Sequence, residues 1–104
     1  MTEKELNKII YLNIQACLKL KKMHMKDLER CVGVGEGYFS RKQLGGAIPI
    51  LTLLRVSEAL EMPHTAFLNK ETATDIEKRM LDEEIIAQAE RLEALKAKRA
   101  EYAD

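Results

Sequence analysis

Two cysteines, two prolines and five glycines are all this 104-residue chain has of the residues that cross-link or punctuate a fold. Cys17 and Cys31 stand in no metal-like spacing and are too few for a disulfide scaffold. They read as two small buried hydrophobes in a reducing cytosol. No apolar run comes near the roughly 20 residues of a membrane span. The opening residues 1–5 are polar and acidic, unlike a secretory signal. A cytoplasmic protein with no membrane partner is therefore expected. An excess of one charge is also lacking, since 17 Lys and Arg face 17 Asp and Glu. With 46% apolar residues, the composition supports a core and excludes disorder of the highly charged kind. The length allows one ordinary domain.

The balanced total hides a division. Residues 1–70 hold eleven basic and seven acidic residues, a net of +4, whereas residues 71–104 hold six basic and ten acidic, a net of −4. The chain reads as a mildly basic domain, 1–70, followed by an acidic segment, 71–104. A mild basic excess suits an anionic partner, and equally an ordinary solvated surface.

Every glycine and proline falls between residues 33 and 63, so the flanking stretches are unbroken and read as long helices. Residues 2–5, Thr-Glu-Lys-Glu, form a capping box. Leu6, Ile10, Ile14 and Cys17 then recur at helical spacing, widened by Ile9 and Leu18, and this helix should end near Lys22. Met25, Leu28 and Val32 mark a short second helix stopped by Gly33. A third is expected over 36–44, with Phe39 inward and Gly45-Gly46 as its stop. Pro49 opens a fourth, with Ile50, Leu53, Leu54, Ser57 and Leu60 as its stripe, and Pro63 opens a fifth around Phe67 and Leu68. No stretch alternates with period 2, so the expected fold class is all-α, five helices followed by a long C-terminal helix.

The second and third helices, joined by a short glycine-containing turn, match the helix-turn-helix pattern. Gly33 tolerates a positive φ, Val34 plugs the space between the helices, and the following helix can enter a major groove. The wider spacing of Leu28, Gly33-Val34, Phe39-Ser40-Arg41, Gly45, Pro49, Leu53-Leu54 and Ala59-Leu60 resembles the Xre family of phage-repressor-type, lambda-repressor-like helix-turn-helix domains. The resemblance runs without a gap from about Ile14 to Leu68. It implies a five-helix DNA-binding domain, dimeric on a two-fold operator and usually a repressor, from a bacterium, phage or mobile element. This chain departs from the family at several places. Met25 stands where a glutamine usually contacts phosphate, Glu29 where a small alanine usually sits, and Lys42 where an apolar residue usually packs under the recognition helix. Leu18 and Gln43 replace an Arg–Glu pair. Glu29 and Lys42 read either as an acid–base pair exchanged for two apolar groups or as two long side chains reaching solvent.

The outward positions of the expected recognition helix are candidate DNA contacts. Arg41 suits a guanine edge or a phosphate, and Glu36 can accept from cytosine N4 or repel a phosphate. Gly37 permits close backbone approach, Tyr38 can stack or pack on a thymine methyl, and Ser40 suits a phosphate. Lys26 and Arg30, on the preceding helix, would clamp the backbone, which positions rather than specifies. Signs of other chemistry are missing. His24 and His64 have no partner at ligand spacing, and no nucleophile–base pair or phosphate loop occurs. Neither metal, cofactor nor enzymatic activity is expected.

In the tail, residues 74–77, Thr-Asp-Ile-Glu, form a second capping box, and nothing breaks the helix from there to about Ala103. Leu81, Ile85, Gln88, Leu92, Leu95, Arg99 and Tyr102 fall alternately four and three residues apart, a coiled-coil heptad seam interrupted by Gln88 and Arg99. Ile76, Met80 and Ile86 lie off the seam and suit packing on the front domain. The seam fits dimerisation with a second copy. A helix folded back on its own domain, or one docking another protein, fits the same pattern. The sequence points to a sequence-specific transcriptional regulator, a dimeric repressor binding double-stranded DNA. The altered positions 25, 29 and 42 and the zero net charge leave an alternative, a degenerate helix-turn-helix that binds protein as an antirepressor or adaptor.

Overall fold

Thr2 accepts the N–H of Glu5 and donates its own N–H to the Glu5 carboxylate, so the first helix starts where the capping box predicts. The structure, a computed structural model, describes residues 1–102. Ala103, where the tail helix is expected to run out, lies outside them. Helix α1 spans Glu3–Lys21 and closes on Lys22, which adopts a left-handed conformation at φ 55°. Helix α2 spans Met25–Val32. The His24 N–H donates to the Asp27 carboxylate before α2, and Gly33, at φ 84°, caps its end. Helices α3 (Ile50–Leu60) and α4 (His64–Leu68) each follow a proline, and α5 runs over Thr72–Glu101. No strand occurs among the described residues, so the protein is all-helical, with five α-helices of which the last is by far the longest.

The expected third helix over 36–44 is not an α-helix. The stretch is a series of turns with one 3₁₀ turn, Ser40–Lys42. Gly37 sits at φ 82°, outside the right-handed helical region, and breaks the ladder before it starts. Bonds of the tighter i to i+3 kind then dominate: Tyr38 N–H to Gly35, Lys42 to Phe39, Gln43 to Ser40 and Gly45 to Lys42.

The core joins Ile10, Ile14 and Cys17 of α1, Leu28 and Val32 of α2, Phe39, Leu53, Val56 and Leu60 of α3, Phe67 of α4 and Ile76 of α5. Helix α3 buries a narrower stripe than its sequence suggests. Leu53, Val56 and Leu60 point inward, while Ile50 is 76% and Leu54 42% exposed. The broad apolar stripe read from the sequence spans more of the helix than one contact face can cover. The cysteines also differ from each other. Cys17 is buried, and burial pushes its thiol pKa up from the ordinary value, with nearby Lys21 pulling the other way. Cys31 is exposed, because Leu28 and Val32 take the inner face of α2.

A buried asparagine ties three helices together. Asn13, 1% exposed, donates from its side-chain amide to the carbonyls of Phe67 and Asn69, both at 2.8 Å, and of Ala66 at 3.3 Å. Its Oδ1 accepts the Ala73 N–H at 3.0 Å. One side chain thus serves the C-terminal carbonyls of α4 and an N-terminal donor of α5. The expected capping box at 74–77 does not form: α5 begins at Thr72 with Glu71 as its cap, Thr74 lies inside the helix, and Asn13 accepts the Ala73 N–H of its first turn. Ile76 is buried in the core, with Ala73 and Met80 packed beside it. From Leu81 onward every described residue of α5 is exposed, and the molecule measures 66 × 30 × 22 Å. Among the described residues no helix is long and apolar enough to cross a membrane.

Replacing Asn13 with alanine strands those carbonyls and the Ala73 N–H. Asn13→Ala is expected to cost about 2–3 kcal/mol in a urea melt, and amide exchange at Ala73 should accelerate. The two thiols should also separate by reactivity. In native protein one thiol, Cys31, should react quickly with an aromatic disulfide reagent. The second, Cys17, should react only in denaturant or at distinctly higher pH, because its thiolate is disfavoured by burial.

Candidate nucleic-acid interface

Between Gly33 and Phe39 Glu29 takes four backbone N–H groups, two through the carbonyl that closes α2 and two, beyond the helix, through its carboxylate. Its main-chain carbonyl accepts Gly33 N–H at 3.0 Å and Val34 N–H at 3.1 Å. Its carboxylate turns inward, 3% exposed, with Oε1 accepting Gly37 N–H and Oε2 accepting Phe39 N–H, each at 3.1 Å. Charge-assisted bonds of this kind are the stronger class, and two of them balance a carboxylate without a cation. The expected Glu29–Lys42 pair is therefore absent. Lys42 lies instead with its ammonium 4.8 Å from the Tyr38 ring centroid, and Tyr38 packs edge-on against buried Phe39 at 5.1 Å. Neither alternative read from the sequence describes Glu29. It does not reach solvent, and its partners are backbone groups.

The other end of the segment is held by α1. Asn7 donates from its side-chain amide to the Gly45 carbonyl at 3.1 Å. Gly45 sits at φ 104°, and a Cβ there would come within 2.6 Å of the Lys4 side chain and 3.1 Å of the Lys4 carbonyl. Residues 37–45 thus bridge two fixed points, Glu29 on α2 and Asn7 on α1. Between them Ser40 and Arg41 are exposed.

The candidate contact residues are brought together, though not in the expected form. Lys26, Arg30 and Glu36 line one shallow groove of about 70 Å³ beside Glu29 and Val34. The Lys26 ammonium meets the Glu36 carboxylate at 3.4 Å, an exposed ion pair that links α2 to the segment. Arg41 folds back so that its guanidinium lies over Gly37, 3.5 Å from where a Cβ would stand. Tyr38 is half-buried and only partly available. Ser40 is exposed at the start of the 3₁₀ turn. The dimerisation candidates Leu81, Ile85, Gln88, Leu92 and Leu95 lie on the exposed length of α5, together with Arg99, and Tyr102 is the exposed residue just past its end. Asn7 and Asn13 were not singled out by sequence. Their one signal is a polar residue at or beside the apolar stripe of α1. Among the described residues no three His, Cys, Asp or Glu side chains are grouped as a metal site.

Glu29→Ala would strand two N–H groups in the interior, and is expected to cost about 2–4 kcal/mol. Glu29→Gln keeps one acceptor and should lose less. Lys42→Leu should change stability by under about 1 kcal/mol, and its effect should add to that of Glu29→Ala in a denaturant double-mutant cycle. A large coupling between the two would contradict this geometry. No family model, curated protein or solved structure matches this chain, and the function of this face rests on the residues that build it.

Proposed function

We propose that this chain is a sequence-specific DNA-binding transcriptional regulator of the helix-turn-helix kind, acting as a dimeric repressor in a bacterial cytoplasm. The observation that carries the reading is the segment 37–45, pinned at one end by Glu29 and at the other by Asn7, with Ser40 and Arg41 held outward between them. A base reader must arrive with its backbone already ordered, because ordering it on binding costs affinity. In this reading Arg41 takes a guanine edge, releasing its contact over Gly37. Lys26 and Arg30 meet phosphates on either side, and Ser40 adds a phosphate bond. Glu36 restrains Lys26 in the free protein and sets a charge against phosphate, which favours a matched site over random sequence. The +4 charge of residues 1–70 supports the same direction.

A second reading is favoured by a different observation. Ile50, Leu51 and Leu54 form an exposed apolar patch on α3, with relative exposures of 76%, 59% and 42%. Such a patch suits a protein partner, and the short 3₁₀ turn is a smaller probe than a full recognition helix. In that case the chain is an adaptor or antirepressor built on the same scaffold.

A salt series of fluorescence-anisotropy titrations on selected and scrambled duplexes separates the two. For a DNA reader, the logarithm of affinity should fall with the logarithm of salt at about −0.9 per neutralised phosphate. Arg41→Ala should cost about 1–3 kcal/mol and relax preference at one base position. Lys26→Ala should weaken all sequences alike and reduce the slope by about one. Glu36→Gln frees Lys26 and should raise affinity for scrambled DNA. Equal, weak binding of both duplexes, unchanged by every variant, would leave the protein-binding reading.

A further inference from the structure

Beyond Met80, α5 leaves the core as a bare helix, and Leu81, Ile85, Leu92 and Leu95 are each more than half exposed. A seam of this kind needs a cover. Its charges are sorted along its length. Residues 81–90 carry four acidic side chains and no basic one, whereas residues 91–99 carry four basic and one acidic. Two copies lying side by side in the same direction set like ends together. In opposite directions they set unlike ends together.

We propose that α5 pairs antiparallel with α5 of a second copy, in the register that sets Leu81 opposite the partner's Arg99, Ile85 opposite the partner's Leu95 and Gln88 opposite the partner's Leu92. The proposal rests on the reading of α5 as a self-association helix and is independent of whether the front face binds DNA. Flanking charges select the direction, and the length of α5 that stands clear of the core selects the register. With Ile85, Leu92 and Arg99 at a positions and Leu81, Gln88 and Leu95 at d positions, the residues that border the seam on each side face their counterparts across an antiparallel pair. Glu84 then faces the partner's Lys98, and Asp82 faces the partner's Lys96. Two-fold symmetry repeats both contacts. The one like-charge contact is Arg91 with the partner's Arg91, at the symmetry axis.

The competing arrangements fare worse on the same residues. Sliding one heptad toward the C-terminus sets Arg91 opposite the partner's Lys98 and uncovers Leu81. The opposite slide sets Glu84 opposite the partner's Arg91, but it puts Lys78 inside the seam opposite the partner's Leu95 and runs the pairing onto the turns of α5 that Ile76 and Met80 pack against the core. A parallel pair stacks Arg99 on the partner's Arg99 inside the seam and sets Arg91 beside the partner's Lys96. In the proposed pair, Arg99 packs at the end of the seam beside the partner's Leu81 and next to the partner's Asp82. The two front domains then sit at opposite ends of the paired helices. At 1.5 Å per residue, Met80 and the partner's Met80 are about 30 Å apart along the axis.

The test is a charge swap in the full-length chain, read by sedimentation equilibrium at low salt. Glu84→Lys alone, or Lys98→Glu alone, replaces two attractive contacts with repulsive ones and should weaken dimerisation roughly tenfold. The double variant E84K/K98E restores unlike pairs and should recover the wild-type constant. In the parallel arrangement Glu84 borders the partner's Ala89, and the double variant has nothing to rescue. Spin labels on the outer face give a second measurement, with Glu83→Cys, Glu90→Cys and Ala97→Cys made one at a time in a Cys31→Ser background. The antiparallel register gives the shortest distance at residue 90, with an added axial offset of about 21 Å at 83 and at 97. A parallel pair gives three equal distances. Equal distances, or a dimer that the double variant does not restore, would overturn the antiparallel register while leaving α5 pairing intact. A wild-type chain that stays monomeric throughout would overturn the pairing itself.

Discussion

The Glu29 carboxylate is the interaction on which the exposed face depends. Gly33 and Gly37 both sit at positive φ, so the chain between α2 and the 3₁₀ turn cannot close its own helical bonds. Unpaired N–H groups in a protein interior are costly, and those of Gly37 and Phe39 have no main-chain partner to answer them. Glu29 answers them from both its main chain and its side chain. A shorter side chain at that position could satisfy Gly33 and Val34 through the carbonyl alone, leaving Gly37 and Phe39 open. The acid thus sets where Phe39 enters the core, and Phe39 in turn sets the outward direction of Ser40 and Arg41.

The rest of the local design follows from that anchor. Tyr38 packs on Phe39, and Lys42 lays its charge over Tyr38, so a cation that could have joined a buried pair covers an aromatic face instead. Asn7 and the close approach of Lys4 to Gly45 fix the far end, where no side chain larger than hydrogen fits without displacement. The result is a short projecting turn whose ends belong to two different helices. Such a turn keeps its shape because its ends are bonded to buried Glu29 and half-buried Asn7, not because the turn is itself regular.

Asn13 does for α5 what Glu29 does for the turn. A long helix with mostly polar faces has little to hold it against a small domain. The bonds from Asn13 to the end of α4 and the start of α5, with Ile76 buried beside them, root the helix over its first turns. The remaining length is free of the core and carries its apolar seam and its sorted charges into solvent.

The sequence by itself determined the helical class, the first helix and its capping box, the ends set by Gly33 and the prolines, and the separation of a packed front from a long unbroken tail. Those features follow from local periodicity and from residues whose backbone preferences act without neighbours. It also brought Lys26, Arg30, Glu36, Gly37, Ser40 and Arg41 to attention as one group. What it did not disclose is how that group is held. Gly37 reads as a harmless residue inside a helix, and only its observed φ turns the helix into a 3₁₀ turn. Glu29 and Lys42 read either as a buried acid–base pair or as two side chains reaching solvent, because both stand at positions where the resemblance leads one to expect small or apolar groups. The tertiary structure decides otherwise, because backbone N–H groups that lack a partner compete for the carboxylate at closer range. Asn13 was silent for the same reason: its four partners come from residues 66–73, far along the chain, and a hydrogen bond is defined only once folding has placed both of its ends.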